Sequence, residues 1–211
     1  EGCPTQPSWP RGGRPQYCAA CYLERHPNDP IAAATVYHRT EALLRTFYRD
    51  QGARFGKAHA PNMCNARAKK VGAWLGPYEL DFVLCGRVND ECDGRQHFAD
   101  LEHLGNSRAA DQQANDRDKT LLALQHGLSV TRMRQADIWD ERPDWRTLKL
   151  AQVAFARARA AAGAPVLVVA VRDPGDMAYD ALIGLVSADP VWADRVYKVF
   201  PTAADPGGVT R

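Results

Sequence analysis

No apolar run in this chain of 211 residues approaches the roughly 18 that a membrane-spanning helix needs, and no secretory signal peptide is recognisable. These absences predict an intracellular protein that does not enter the membrane. Cysteine is sparse, six in all, and without a secretion signal a disulfide-held scaffold is disfavoured. A surplus of one charge is lacking too: Lys and Arg number 27 against 25 Asp and Glu, a balance that alone points to no partner. No internal repeat is present. The apolar stretch 165–171 runs into Arg172-Asp173-Pro174-Gly175-Asp176 with no glycine-rich phosphate loop, which excludes a nucleotide-binding strand.

What is present is unevenly placed. Residues 1–78 hold eleven Lys and Arg against five Asp and Glu, with Arg45, Arg49, Arg54, Lys57, Arg67, Lys69 and Lys70 crowded ahead of an acidic segment. Basic surface beside acidic groups suits a polyanionic partner such as DNA, although solvated helix faces give the same composition. Residues 31–51 read as a helix, with Val36, Leu43, Leu44, Phe47 and Tyr48 at helical spacing and Gly52 as its stop. Strands are expected at 80–85 and 88–93, then an irregular polar stretch at 99–113, a helix at 114–126 closed by Gly127, and a strand at 128–133. A long helix at 144–162, a continuous apolar strand at 165–171, a helix at 175–187 and a strand at 194–200 follow. Strands alternating with helices predict an α/β fold with a mixed central sheet flanked by helices.

Chemistry concentrates in L-D-F-V-L-C-G-R-V-N-D-E-C-D-G-R-Q-H-F, residues 80–98. Asp81 opens one strand and Glu91 lies in the next. Two carboxylates hold Mg²⁺ or Mn²⁺ by hard oxygen ligation, and such an ion polarises a phosphoryl oxygen and lowers the pKa of an attacking water. The two share an ion only if they lie on one sheet face. A two-residue turn at Gly86-Arg87 would pair Asp81 with Cys92 and send Glu91 to the other face. A three-residue connection at Cys85-Gly86-Arg87 pairs Asp81 with Glu91 directly. The sequence permits both, and a bulge besides. Taken in isolation, residues 90–94 are an ordinary acidic turn.

The order D-F-V-L, then E-C-D-G-R-Q-H-F, then D-R-D-K and G-L-S-V-T-R resembles the PD-(D/E)XK nuclease superfamily, most of all its very-short-patch-repair and homing-endonuclease-like branch. The resemblance covers roughly residues 38–135, with Glu41 matching an acidic residue of that branch's first helix. It implies a restriction-endonuclease-like fold and a metal-dependent DNA endonuclease. Asp81 and Glu91 would bind Mg²⁺ or Mn²⁺ with the Cys92 carbonyl, and Glu41 would hold a water at the metal. Gln96 and His97 would approach the scissile phosphate, His97 as acid or base. Asp116 and Lys119, three apart on one helical face, would support the site or bridge each other. Asp93 stands where the superfamily carries Lys. Either Gln96, His97 or Lys119 supplies that electrostatic role, or the domain is a weak or inactive nuclease fold serving as a DNA-binding or assembly module.

The N-terminus is rich in Pro and Gly. Its Cys3, Cys18 and Cys21 are spaced C-x14-C-x2-C and followed by His26, a set that suits a structural Zn²⁺ with His26 or Cys64 as fourth ligand. Disulfides or free thiols are the alternatives. The expected organisation is a zinc-binding loop module at 1–30, a nuclease core at 31–140 and a C-terminal α/β extension at 141–211.

Overall fold

The computed structural model describes residues 40, 43–44, 46–48, 50–51, 73–84, 86–100, 108–139, 145–201 and 208–210. The chain forms two compact units, Glu1–Phe47 and Tyr48–Arg211. In the first, the described residues Thr40, Leu43, Leu44, Thr46 and Phe47 are helical. The zinc set Cys3, Cys18, Cys21 and His26, and also Glu41, lies outside the described residues.

The second unit is built on a six-stranded sheet whose spatial order is its order in the chain. Strand β1 (Phe82–Leu84) runs antiparallel to β2 (Val88–Asp93). Strands β2, β3 (Ser129–Arg134), β4 (Leu167–Ala170) and β5 (Val196–Phe200) are mutually parallel. Strand β6 (Gly208–Thr210) returns antiparallel to β5. The sheet is therefore mixed, as the alternation of elements predicts. Its last three strands lie beyond residue 140 and continue the sheet begun by the first three.

Helices cover both faces. Helix α1 (Ala109–Gln125) joins β2 to β3, α2 (Gln135–Trp139) and α3 (Trp145–Ala161) join β3 to β4, and α4 (Asp180–Ser187) joins β4 to β5. Leu121 and Leu124 of α1 and Leu182 and Val186 of α4 share one buried cluster with Val83, Val130, Leu167 and Val169. Helix α3 covers the opposite face, where its Phe155 ring meets Tyr197 at 4.9 Å between centroids. The sheet advances in one direction throughout, so the α3 crossover has the opposite hand to its two neighbours; the right-handed form is the rule for such connections. With both faces covered, residues 166–171 are all sealed from solvent, and each buried Val contributes about 1.5–3 kcal/mol.

Local chemistry explains the element ends. Gly127, at φ +80°, closes α1 in a Schellman motif: Leu128 N donates to Ala123 O at 3.0 Å and Gly127 N to Leu124 O at 3.0 Å. The polar stretch expected to be irregular enters α1 at Ala109, because Asp100 Oδ1 accepts from Ala109 N at 2.7 Å and caps the helix from nine residues upstream. The helix expected from residue 175 starts at Asp180 instead. Asp173 and Asp176 turn the preceding chain by accepting from Gly175 N and Ala178 N at 2.8 and 3.1 Å. Helix α2 and strand β6 have no counterpart among the expected elements.

Candidate carboxylate site

The β1–β2 register decides whether the two acidic residues meet. Phe82 pairs with Asp90, Val83 with Asn89 and Leu84 with Val88, so the next pair outward is Asp81 with Glu91. The tighter two-residue turn is not used: Arg87 N donates to Leu84 O at 3.0 Å around Gly86 at φ +62°. Asp81 and Glu91 thus lie side by side on the face covered by α1. Asp81 N donates to Glu91 Oε1 at 3.4 Å, and Asp81 Oδ2 accepts from Cys92 N at 2.9 Å. Glu91 is buried and Asp81 half-buried. Burial first, then the charge of Glu91, pushes the Asp81 carboxyl up to about 8, against the pull of Lys119 and the Cys92 N–H.

Helix α1 supplies the cation. Lys119 Nζ forms an ion pair with Glu91 Oε2, and its ammonium is held above its ordinary value because Glu91 and Asp81 outweigh the cost of burial. Asp116 and Lys119 do not bridge each other. Asp116 sits one helical turn back and serves a second cluster.

That second cluster centres on Arg132, a fully buried guanidinium on β3. Arg132 Nε and Nη2 donate to Asp93 Oδ2 and Oδ1 at 2.8 and 2.5 Å, and Tyr179 OH donates to Asp93 Oδ2 at 2.9 Å. Asp116 Oδ1 lies 2.9 Å from Arg132 Nη2, and its Oδ2 lies 2.5 Å from His97 Nδ1. Burial raises the Asp93 carboxyl, but Arg132 and then His97 overcome this and hold it well below the usual carboxylate range. Asp116 is lowered in the same way, by Arg132 and the His97 hydrogen bond against burial. Burial lowers His97, yet Asp93 and Asp116 raise it further. His97 is therefore biased toward its protonated form by the two carboxylates that flank it. Asp93, the departure from the expected Lys, is the acidic half of a bidentate clamp.

Asp93, His97 and Asp116 offer ligand atoms within 4.8 Å of one another, around a cavity of about 10 Å³ that has room for one water. Two carboxylates there already face the Arg132 guanidinium and the His97 ring. Asp81 and Glu91 face one ammonium between them, so their oxygens are the less committed of the two sets and could hold a divalent cation. Gln96 is half-buried in the 3-10 turn Arg95–His97. The Cys92 side chain points to the other face of the sheet, its thiol pushed up by burial and by Asp81.

A third cluster, on the α3 face, was not anticipated. Asp90 is sealed from solvent and meets Lys149 Nζ at 2.5 Å, Thr131 Oγ1 at 2.6 Å and Tyr48 OH at 2.6 Å. Lys149 is equally buried. Burial, then Asp90, raises the Tyr48 phenol well above its usual value, which keeps it a hydrogen-bond donor. Nearby, Gln152 Nε2 donates to the carbonyls of Arg132 and Val168 at 2.8 Å each, bridging β3 and β4. A periodic helix pattern marks 149 and 152 as inward positions but assigns them no partner. Only the alternation of β2, which turns Asp90 toward the helix that follows β3, brings the pair together.

No family model, curated protein or solved structure matches the chain. Among the described residues no helix is long and apolar enough to cross a membrane.

Proposed function

We propose that the chain is a Mg²⁺- or Mn²⁺-dependent DNA endonuclease of the PD-(D/E)XK type. The observation that carries this reading is the convergence of Asp81, Glu91 and Lys119: two carboxylates from paired strands and one ammonium delivered by the following helix. The residue two past Glu91 is Asp93, which is committed to Arg132. Lys119 therefore takes the place that a strand lysine would fill.

The donor set fits a hard divalent cation. Asp81 is destabilised as an anion first by burial and then by Glu91 and keeps partial solvent access, so a cation between the two carboxyls would offset both costs. Once bound, such an ion would polarise the phosphoryl oxygen and acidify a water beside it. Asp81 and Glu91 orient the cation, while the Cys92 N–H fixes the Asp81 carboxylate. Lys119 places positive charge where negative charge gathers on the phosphoryl oxygens during attack. His97, locked between Asp93 and Asp116, holds a proton on the same side of the sheet.

The test is nicking of supercoiled plasmid in Mg²⁺ or Mn²⁺ by the full chain. Asp81→Ala and Glu91→Ala are expected to abolish nicking, and Lys119→Ala to slow it by about 10²–10³-fold. A folded wild type that binds DNA and never cuts it, under either ion, would make the domain a binding or assembly module instead.

A further inference from the structure

Beside the carboxylates a cleft of about 460 Å³ opens between α1 and the segment leading into β1, lined by Pro77, Tyr78, Glu79, Gln112, Asn115, Asp116 and Lys119. Its volume falls within the roughly 300–1,000 Å³ typical of small-ligand clefts. The α1 residues recur at i, i+3, i+4 and i+7, so they form one wall along a single helix face. Lys119 at the inner end belongs also to the carboxylate pair. The opposite wall reaches Asp81 two residues after Glu79. Whatever enters this cleft is therefore adjacent to the reacting phosphate.

The lining selects the guest. Glu79 is negative, Asp116 is engaged by Arg132 and His97, and Lys119 is already paired with Glu91, so none of these side chains offers a second phosphate an uncommitted positive charge. The neutral part of a nucleotide needs none. Tyr78 is half-buried, its hydroxyl donating to Asp118 Oδ2 at 3.4 Å, which steadies an aromatic ring on one side of the cleft. Gln112 and Asn115 line the other, and neither side-chain amide has a partner of its own. Amides of Asn and Gln pair bidentately with adenine, whereas guanine is read by Arg or Lys. Among the described residues no Arg lines this cleft, and its one Lys is paired with Glu91.

We infer that the cleft receives one unstacked nucleobase flanking the scissile phosphate, held against Tyr78, and that Gln112 and Asn115 favour adenine there. This rests on the nuclease reading and adds to it a choice of substrate: single-stranded, frayed or mismatched DNA, from which a base can leave the stack at little cost.

The experiment uses single-stranded oligonucleotides varied at each position next to the cut, with cleavage followed in Mn²⁺ and binding followed in Ca²⁺ by the fluorescence of 2-aminopurine, an adenine analogue. The wild type is expected to prefer adenine at one flanking position by about 10-fold. Asn115→Ala and Gln112→Ala should each flatten that preference. Tyr78→Ala should slow cleavage at every base by about 10-fold. Cleavage with equal rates for all bases, or a preference untouched by the amide variants, overturns the cleft assignment and leaves the nuclease standing. No cleavage, with a 2-aminopurine signal that disappears in Asn115→Ala, upholds the cleft and removes the nuclease reading. Neither cleavage nor signal overturns both.

Discussion

On the α3 side of β2, Asp90 meets one ammonium and two hydroxyls, all sealed from water. On the α1 side the very next residue, Glu91, shares a single ammonium with a second carboxylate, Asp81. Two carboxylates one residue apart thus sit in opposite circumstances. The first is fully compensated and has nothing left to offer a ligand. The second belongs to a trio of two carboxyls and one ammonium, in which burial and then the charge of Glu91 drive Asp81 up to about 8. Full compensation marks Asp90 as structural, while the proposed function rests on the Asp81–Glu91 pair. In the Arg132 cluster two carboxylates meet Arg132 and His97, so it resembles the Asp90 cluster more closely despite its metal-like geometry.

Three measurements press on this contrast. The largest effect belongs to Lys149→Met, which strands the Asp90 charge in the interior. A loss of about 3–5 kcal/mol is expected in urea unfolding, and most of it should return when Asp90→Asn is added to the same chain. A loss below about 1 kcal/mol would mean that water reaches Asp90 and that the two faces are not so different. Next comes Asp81→Asn, which removes one member of the repelling pair. Stability in metal-free buffer should hold or rise by up to about 1 kcal/mol, the opposite sign to Lys149→Met. Mn²⁺ at ten times its Kd should stabilise the wild type by about 1.4 kcal/mol and leave the variant unmoved. Thermal melts with and without the ion check both halves.

The smallest effect is expected in the partly buried ion-pair network of Arg134, Asp137, Arg172 and Asp176. Burial raises Asp176, but the N–H groups of Arg172 and Ala178 and then Arg134 hold it below its usual value. A carboxyl lowered on folding contributes above its unfolded pKa, about 3.9, and stops contributing as the pH falls through its lower native pKa. Asp176→Asn should therefore cost about 1 kcal/mol at pH 7, and the difference from wild type should shrink as the pH is taken into the acid range below about 3.9. A difference that persists there would assign the cost to the turn at 173–178 and not to charge.

Much of this architecture can be read from residue order. Strands expected at 88–93 and 128–133 lie at Val88–Asp93 and Ser129–Arg134, because apolar runs bounded by Gly and polar turns leave little freedom. Asp81 and Glu91 could be named in advance, but not their register, since both turn lengths at Gly86 are sterically open. What resisted reading was every partner set by a long loop. The cap of α1 comes from Asp100 across residues that carry no helical signal. The pairing of Lys149 with Asp90 spans 59 positions. Lys119 was singled out from its spacing to Asp116, yet its actual partner is Glu91, which lies across the α1–β2 interface and not along the helix.

The Gln152 amide, which donates to one carbonyl on β3 and another on β4, has a consequence for kinship. A Glu there would set an anion against two carbonyl oxygens, and a Leu would remove the amide that ties β3 to β4 from the helix side. Substitution at this position is thus confined far more tightly than at a solvent-facing position of the same helix. Together with Lys149 it makes a Lys-x-x-Gln signature one helical turn long, in the helix that follows the Arg132 strand. Any chain that keeps this sheet and this helix would keep that signature, whatever its carboxylates do.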